Sequence, residues 1–437
     1  MSIQIVLALA FGGTVVAAAQ AMAGDAEVWR RTKPDFPVYL PTGRADATNQ
    51  MVNAVETPRG TWLATFTMAS REGQPDQRVV VTRSTDRGRT WSAPAVLDGQ
   101  HGGDGRRASW AVPFVVPTTG RVYVLYNKNT GQAQVRPDTT GQMRLRYSDD
   151  DGLTWRDGGT LPVRMGEFGH PSPEADPNWI GLYTPLTTRQ GAVLFPFARY
   201  KAGPHLHRRI PYTQWQTEAA LLRFDNILTE TDATRLEVTT LPTGPRGIRV
   251  PHPRIEGGSW ANEPAIVELS AGRLLMVMRT RVDAIWHALS QDQGESWTPP
   301  KPLRYHDSGP VMLNPNAPVL ITRLADGRIP MVFFNARKSS TFGPRDPAWL
   351  TVGVEALDRK QPVVFARPRQ LMTVHNTLAP GATSYPQVAG YGSFFQSRGQ
   401  LFLIYPDCKH YILGRRLAKA LLDDVLRAAR PEGSAPQ

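Results

Sequence analysis

The sequence predicts an all-β chain folded as a six-bladed β-propeller with a short C-terminal helix, and three observations carry that prediction. An octet ending in Trp recurs as "STDRGRTW" (84–91), "SDDDGLTW" (148–155) and "SQDQGESW" (290–297). Its copies are spaced at the length of one small sheet. No sustained helical period appears before the C-terminus, while 38 Gly and 38 Pro supply turn signals throughout.

The octet reads Ser-x-Asp-x-Gly-x-Thr/Ser-Trp, and each residue type has a mechanical job. Asp86, Asp150 and Asp292 accept hydrogen bonds from backbone N–H groups two or three residues on, closing an Asx-type turn. Gly88, Gly152 and Gly294 supply the positive φ that the turn needs. Trp91, Trp155 and Trp297 then fold back as apolar plugs between neighbouring sheets, their indole N–H groups seeking a partner. Each copy follows a β-like run ending in Ser: "QRVVVTRS", "GQMRLRYS" and "DAIWHALS".

Ser84 and Ser148 are 64 residues apart, and Ser148 and Ser290 are 142 apart, twice 71. One unit between them has therefore lost its octet, at "TEAALLRFDNILTETD" (217–232). A repeat of ~65 to 70 residues with several strands each is a propeller blade, and about 410 residues beyond the leader make roughly six, in one domain over 24–437. The helical exception is "RRLAKALLDDVLRAAR", which predicts a terminal helix over about 415–430.

Residues 1–23 are apolar and end in Ala21-Met22-Ala23, a small-residue cleavage pattern, which reads as a signal peptide and an exported protein; an N-terminal membrane anchor is the alternative. Cys408 is the single cysteine, so no internal disulfide can form. The net charge is +12, but the basic residues are scattered with no run beyond pairs, which argues against nucleic acid and towards acidic glycans or cell surfaces. His205 and His207 have no neighbouring Cys or carboxylate in sequence, and neither a metal nor a cofactor is called for.

The octets resemble the Asp-boxes of the sialidase (neuraminidase, BNR-repeat) superfamily. That resemblance implies a six-bladed propeller with the octets on the rim, away from the active centre, and a carboxylate-bearing glycan as partner. In "NEPAIVELSAGRLLMVMRTR" (262–281), two antiparallel strands ending on one face would bring Glu263 close to Arg279. The stretch is similar to the family segment bearing the Glu that activates the nucleophile and an Arg that holds the substrate carboxylate. "RDPAWLTVGVEAL" (345–357) resembles the segment with a second carboxylate-binding Arg, implying Arg345. "SYPQVAGYGSFFQSRGQLFLIY" (384–405) resembles the segment of the catalytic Tyr and points to Tyr385, although it ends Tyr405-Pro406 where the family has Tyr-Glu. "TMASREGQPDQRVVVTRS" matches the place of a supporting Arg and of the acid/base Asp, hence Arg71 and Asp76, with Glu72 as a rival for the acid.

What the resemblance implies is a retaining mechanism in which Tyr385 attacks, Glu263 takes its proton, and Asp76 protonates the leaving oxygen and later activates water. A neutral phenol suits a sialoside, whose anomeric carbon carries a carboxylate that would repel an anionic nucleophile. With an ordinary pKa near 10 the phenol needs an adjacent base.

One departure bears on substrate. Where the family begins its first blade with an Arg, this chain reads "NQMVNAVETP" (49–58), with Met51 or Val52 in that place, unless Arg44, Arg246 or Arg249 reaches in. Two other functions therefore stand beside the glycosidase: a non-catalytic glycan-binding propeller, and a uronate-directed lyase or hydrolase on the same fold. The loops 166–181 and 249–260 are expected to roof the site and contact the aglycone through Trp179, Trp260 or His252.

Overall fold

The computed structural model describes residues 27–99, 106–134, 136–206, 216–253, 256–337 and 343–428. The signal-peptide reading of residues 1–23 and His207 lie outside them. Among the described residues no helix is long and apolar enough to cross a membrane.

Six sheets follow one another around a ring, antiparallel except where Ser259–Trp260 pairs parallel to Gln216–Phe224 in the third. The first blade runs Thr48–Glu56, Trp62–Ala69, Arg78–Ser84 and Ala95–Gly99 from the axis outwards, and the second runs Ala108–Val115, Val122–Lys128, Gln142–Ser148 and Arg156–Leu161. The third is built on Val193–Tyr200 and Gln216–Phe224, and the fourth runs Asn262–Glu268, Leu274–Arg279, Trp286–Ser290 and Lys301–Pro302. The fifth is centred on Ile329–Phe333 and Ala348–Glu355. The sixth combines Ser393–Ser397, Gln400–Asp407 and Tyr411–Leu417 with the N-terminal strand Phe36–Tyr39, which closes the ring. Blades stack on both sides, so their middle strands have no solvent face: every residue of Trp62–Ala69 and of Val193–Tyr200 is buried.

The octets join the third strand of a blade to its fourth, as expected. Asp86, Asp150 and Asp292 accept from the N–H groups of Thr90, Thr154 and Ser296, four residues on, at 2.9, 2.8 and 2.9 Å, and Asp150 also accepts from the Leu153 N–H, three residues on, at 3.1 Å. Gly88, Gly152 and Gly294 all have positive φ. A Cβ on Gly152 would meet Leu63 of the preceding blade at 2.7 Å, and one on Gly294 would meet Leu221 at the same distance. Trp91, Trp155 and Trp297 are half-buried in clusters that mix two adjacent blades, and Trp297 alone of the three makes its indole hydrogen bond, to the Gly294 carbonyl.

The terminal helix is shorter than the pattern implied. Arg415, Arg416 and Leu417 pair with Leu401–Leu403 in the last blade, and the helix spans Lys419–Arg427. Leu417 fits the helical spacing by coincidence, being buried as a strand residue, whereas Leu422 and Val425 pack onto Leu350 and Val352 of the fifth blade.

Candidate active site

Strand direction separates two faces. Connections from a second strand to a third, and from one blade to the next, emerge on one face; octets emerge on the other. Glu263 at the start of an inner strand, Arg279 at the end of a second strand, Arg345 ahead of a third and the 70–77 loop all belong to the face opposite the octets.

Inner strands are bent where they reach the axis. Register shifts at Gln50/Asn53, Ser109/Val112 and Asn262/Ala265 coincide with left-handed residues Met51 (φ 55°), Trp110 (φ 66°) and Glu263 (φ 42°). Such bulges re-aim a side chain, and left-handed non-glycine backbone persists where its surroundings fix it. Blades one, two and four therefore use the same device, with Met, Trp and Glu in equivalent places. Met51 packs in one cluster with Trp110 and Tyr391, leaving that side of the axis apolar.

Glu263 and Arg279 meet as expected. Asn262 pairs with Arg279 across the two strands, and Arg279 Nη1 donates to Glu263 Oε1 at 2.5 Å. Both residues are nearly fully buried, at 3% and 1% exposure. The second carboxylate oxygen, Oε2, has no hydrogen-bond partner among the described residues. Arg279 Nη1 also reaches Tyr391 Oη at 3.4 Å, and its Nε donates to Asn316 Oδ1 at 2.8 Å. Arg345 donates through Nη2 to the Asn316 carbonyl at 2.6 Å and through Nη1 to Gln387 at 3.2 Å, so Asn316 holds both guanidinium groups. The guanidinium carbon of Arg345 lies 5.4 Å from the Tyr391 ring centre and 5.6 Å from that of Tyr385.

The phenol beside the Glu263–Arg279 pair is thus Tyr391, six residues after the expected Tyr385. Burial pushes the Tyr391 phenol up, but the Arg345, Arg279 and Lys409 cations together bring it below the ordinary tyrosine value, against the opposing charge of Glu263. Tyr385 stays above that value, since burial there outweighs Arg345 and Lys409. A usable signal was present: Tyr391 precedes the inner strand Ser393–Ser397, as Glu263 stands at the head of its own.

The 70–77 loop divides its expected residues. Asp76 Oδ2 accepts from the Ser70 N–H at 2.9 Å, while Oδ1 is buried without a hydrogen-bond partner among the described residues. Arg71 is exposed at the start of the loop, apart from the buried cluster. Glu72 faces inwards: Lys409 Nζ donates to it at 2.5 Å and Arg136 lies 3.5 Å away. Burial raises its pKa, but Lys409 and Arg136 overcome that and hold it at about 2. Glu72 is thus engaged by two cations, whereas Asp76 makes no ion pair among the described residues.

Trp179 is fully buried against Phe195 and Phe197 in the third blade, so it contacts no aglycone. Trp260 is also buried, with His252 stacked edge-on at 4.6 Å and itself half-exposed. Arg246 and Arg249 pair with Glu167, and Arg249 also with Glu218. Among the described residues no group of three or more His, Cys, Asp or Glu has the geometry to hold a metal.

Asp-box turns on one face and a buried carboxylate, guanidinium and phenol cluster at the axis of the other define the chain as a sialidase-type propeller. It belongs to the BNR repeat-like domain family, whose model matches residues 60–400. Solved structures of like fold include the NanB sialidase of Streptococcus pneumoniae (TM-score 0.61, 11% identity, covering 89% of this chain and 71% of that one). A Hadza microbial sialidase aligns with TM-score 0.59 at 17% identity, over 86% of this chain and 66% of its own. A Dyadobacter fermentans protein of unknown function aligns with TM-score 0.56 at 16% identity, over 88% and 97%. At such identities the likeness establishes the fold alone. No curated protein matches by sequence.

Proposed function

We propose that the protein is a sialidase-like exo-glycosidase that acts on a carboxylate-bearing sugar with retention, using Tyr391 as nucleophile. The observation that carries this reading is the arrangement around Arg279: one buried guanidinium touches both Glu263 and the Tyr391 phenol, and Glu263 keeps an unoccupied oxygen. In the first step the Tyr391 oxygen bonds to the anomeric carbon, its proton passes to Glu263, and the leaving oxygen takes a proton from Asp76. In the second step Asp76 takes a proton from water, the water oxygen replaces Tyr391 at the same carbon, and Glu263 returns the phenol proton. Arg345, with Arg279 behind it, faces the sugar carboxylate.

The apolar Met51 supports a second reading, a glycan-binding propeller without turnover, because an Arg at that bulge would add a charge that this chain lacks. Screening sialosides and uronosides with product stereochemistry followed by NMR separates the possibilities. Release of the sugar with retained configuration supports the glycosidase; an unsaturated product supports the lyase; binding without release supports the second reading. The leader-like residues 1–23 support export as part of the same proposal.

A further inference from the structure

We propose that Lys409 stands beside Arg345 as a hydrogen-bond donor to the substrate anion, so that the sixth blade supplies a cationic donor that the first blade does not. The inference rests on the glycosidase reading above and names a specificity-determining residue for it. Lys409 lies on the turn between Gln400–Asp407 and Tyr411–Leu417, where it and Cys408 both have positive φ. Its ammonium is 4.5 Å from the Tyr391 ring centre, closer than the Arg345 guanidinium, and the residue is only 3% exposed. The turn is held from outside: Arg31 grips the Asp407 carboxylate with two hydrogen bonds of 2.9 and 2.7 Å and donates to the Thr377 carbonyl. Such anchoring places a flexible lysine reproducibly.

Net charge and spare donors together decide what is left to meet an anion. Arg279 is paired with Glu263 at 2.5 Å, so it presents little net charge to a ligand. Arg345 forms no ion pair with a carboxylate among the described residues, and its Nε has no hydrogen-bond partner there. Lys409 shares Glu72 with Arg136, which is itself bound to Asp138, so those four groups balance. Among the described residues the charges that act most strongly on the Tyr391 phenol are Arg345, Arg279, Lys409 and Glu263, and beside them stand the phenols of Tyr385, Tyr183 and Tyr200, which burial keeps neutral. With Lys409 balanced by Glu72 and Arg279 by Glu263, the one positive charge left over is that of Arg345, which suits one carboxylate. Of the three ammonium protons of Lys409, one goes to Glu72, leaving donors for the ligand.

The test is calorimetric titration of the full chain with N-acetylneuraminic acid and with its methyl ester. Wild type should prefer the acid. Lys409→Met should cut that preference about tenfold, the loss of one charge-assisted hydrogen bond, and Lys409→Arg should restore most of it. Because Lys409→Met leaves Glu72 beside fewer cations, the double variant Lys409→Met/Glu72→Gln is measured alongside and should show the same loss. A folded Lys409→Met or double variant that keeps the wild-type preference overturns the role of Lys409 alone. Equal binding of acid and ester by wild type overturns it together with the carboxylate reading of the site.

Discussion

The octet face and the axial face solve opposite problems with the same residue types. On the octet face, three aspartates make the same bonds within a few tenths of an ångström of one another, to the backbone and hydroxyl of the residue four places on. Each aspartate closes its turn within its own eight residues, and the tryptophan lies in a cluster shared with the blade before. At the axis, Glu263, Arg279, Arg345, Tyr391 and Lys409 come from three blades, none closes its own turn, and each leaves capacity unused or charge imperfectly matched. A cluster that is complete locally stabilises a fold; one assembled from distant segments and left incomplete is available to a ligand.

The sharpest way to break that contrast is at the phenols. Tyr391→Phe keeps the ring and removes the oxygen, and turnover should fall about a thousandfold or more with folding intact. Tyr385→Phe should lose less than about tenfold. Glu263→Gln should match Tyr391→Phe, and the double variant should be no worse than either, since the two groups act in one step. The reverse ranking of the two tyrosines would restore the assignment expected from sequence. Next in size is Arg345→Lys, which keeps the charge but not the planar fork; kcat/KM should drop by about 2 kcal/mol, or about thirtyfold, with little change in stability.

Smaller effects belong to the octets. Asp150→Ala should lower unfolding free energy by about 1 kcal/mol in denaturant titration, while activity per folded molecule holds, because the turn lies at the far end of the strands. A loss of turnover with stability unchanged would contradict the two-face arrangement. Acid adds a check. The Thr154 hydroxyl and N–H hold the Asp150 carboxyl at about 2, below its ordinary 3.8. A depressed carboxylate contributes stability that is complete above the unfolded value and disappears as pH falls through the folded one. The stability difference between wild type and Asp150→Ala should therefore be constant from neutrality to about pH 4 and vanish near pH 2.

The same contrast explains what was legible in the sequence. Asp86, Gly88 and Trp91 could be assigned jobs because their partners lie within the octet, and three spaced copies gave the blade length. Glu263 and Arg279 were legible for a related reason: they are joined by one hairpin, and strand pairing alone brings them together. Tyr391, Lys409 and Asn316 were not, since each also has a partner in another blade and only the closed ring fixes those distances. Tyr385 and Tyr391 lie on one short segment, and choosing between them needs the direction of the inner strand. The helix expected to begin near 415 failed similarly, because strand pairing to Leu401–Leu403 overrides a helical pattern that Leu417 happens to satisfy.

The central claim, that Tyr391 is the reacting group, is tested most directly by mass spectrometry of the protein quenched during turnover of a slow, carboxylate-bearing aryl glycoside. A covalent intermediate should appear as one sugar residue added to the chain, and fragmentation should place it on Tyr391. The sugar on Tyr385, or steady turnover with retained configuration in a Tyr391→Phe variant, would contradict the account.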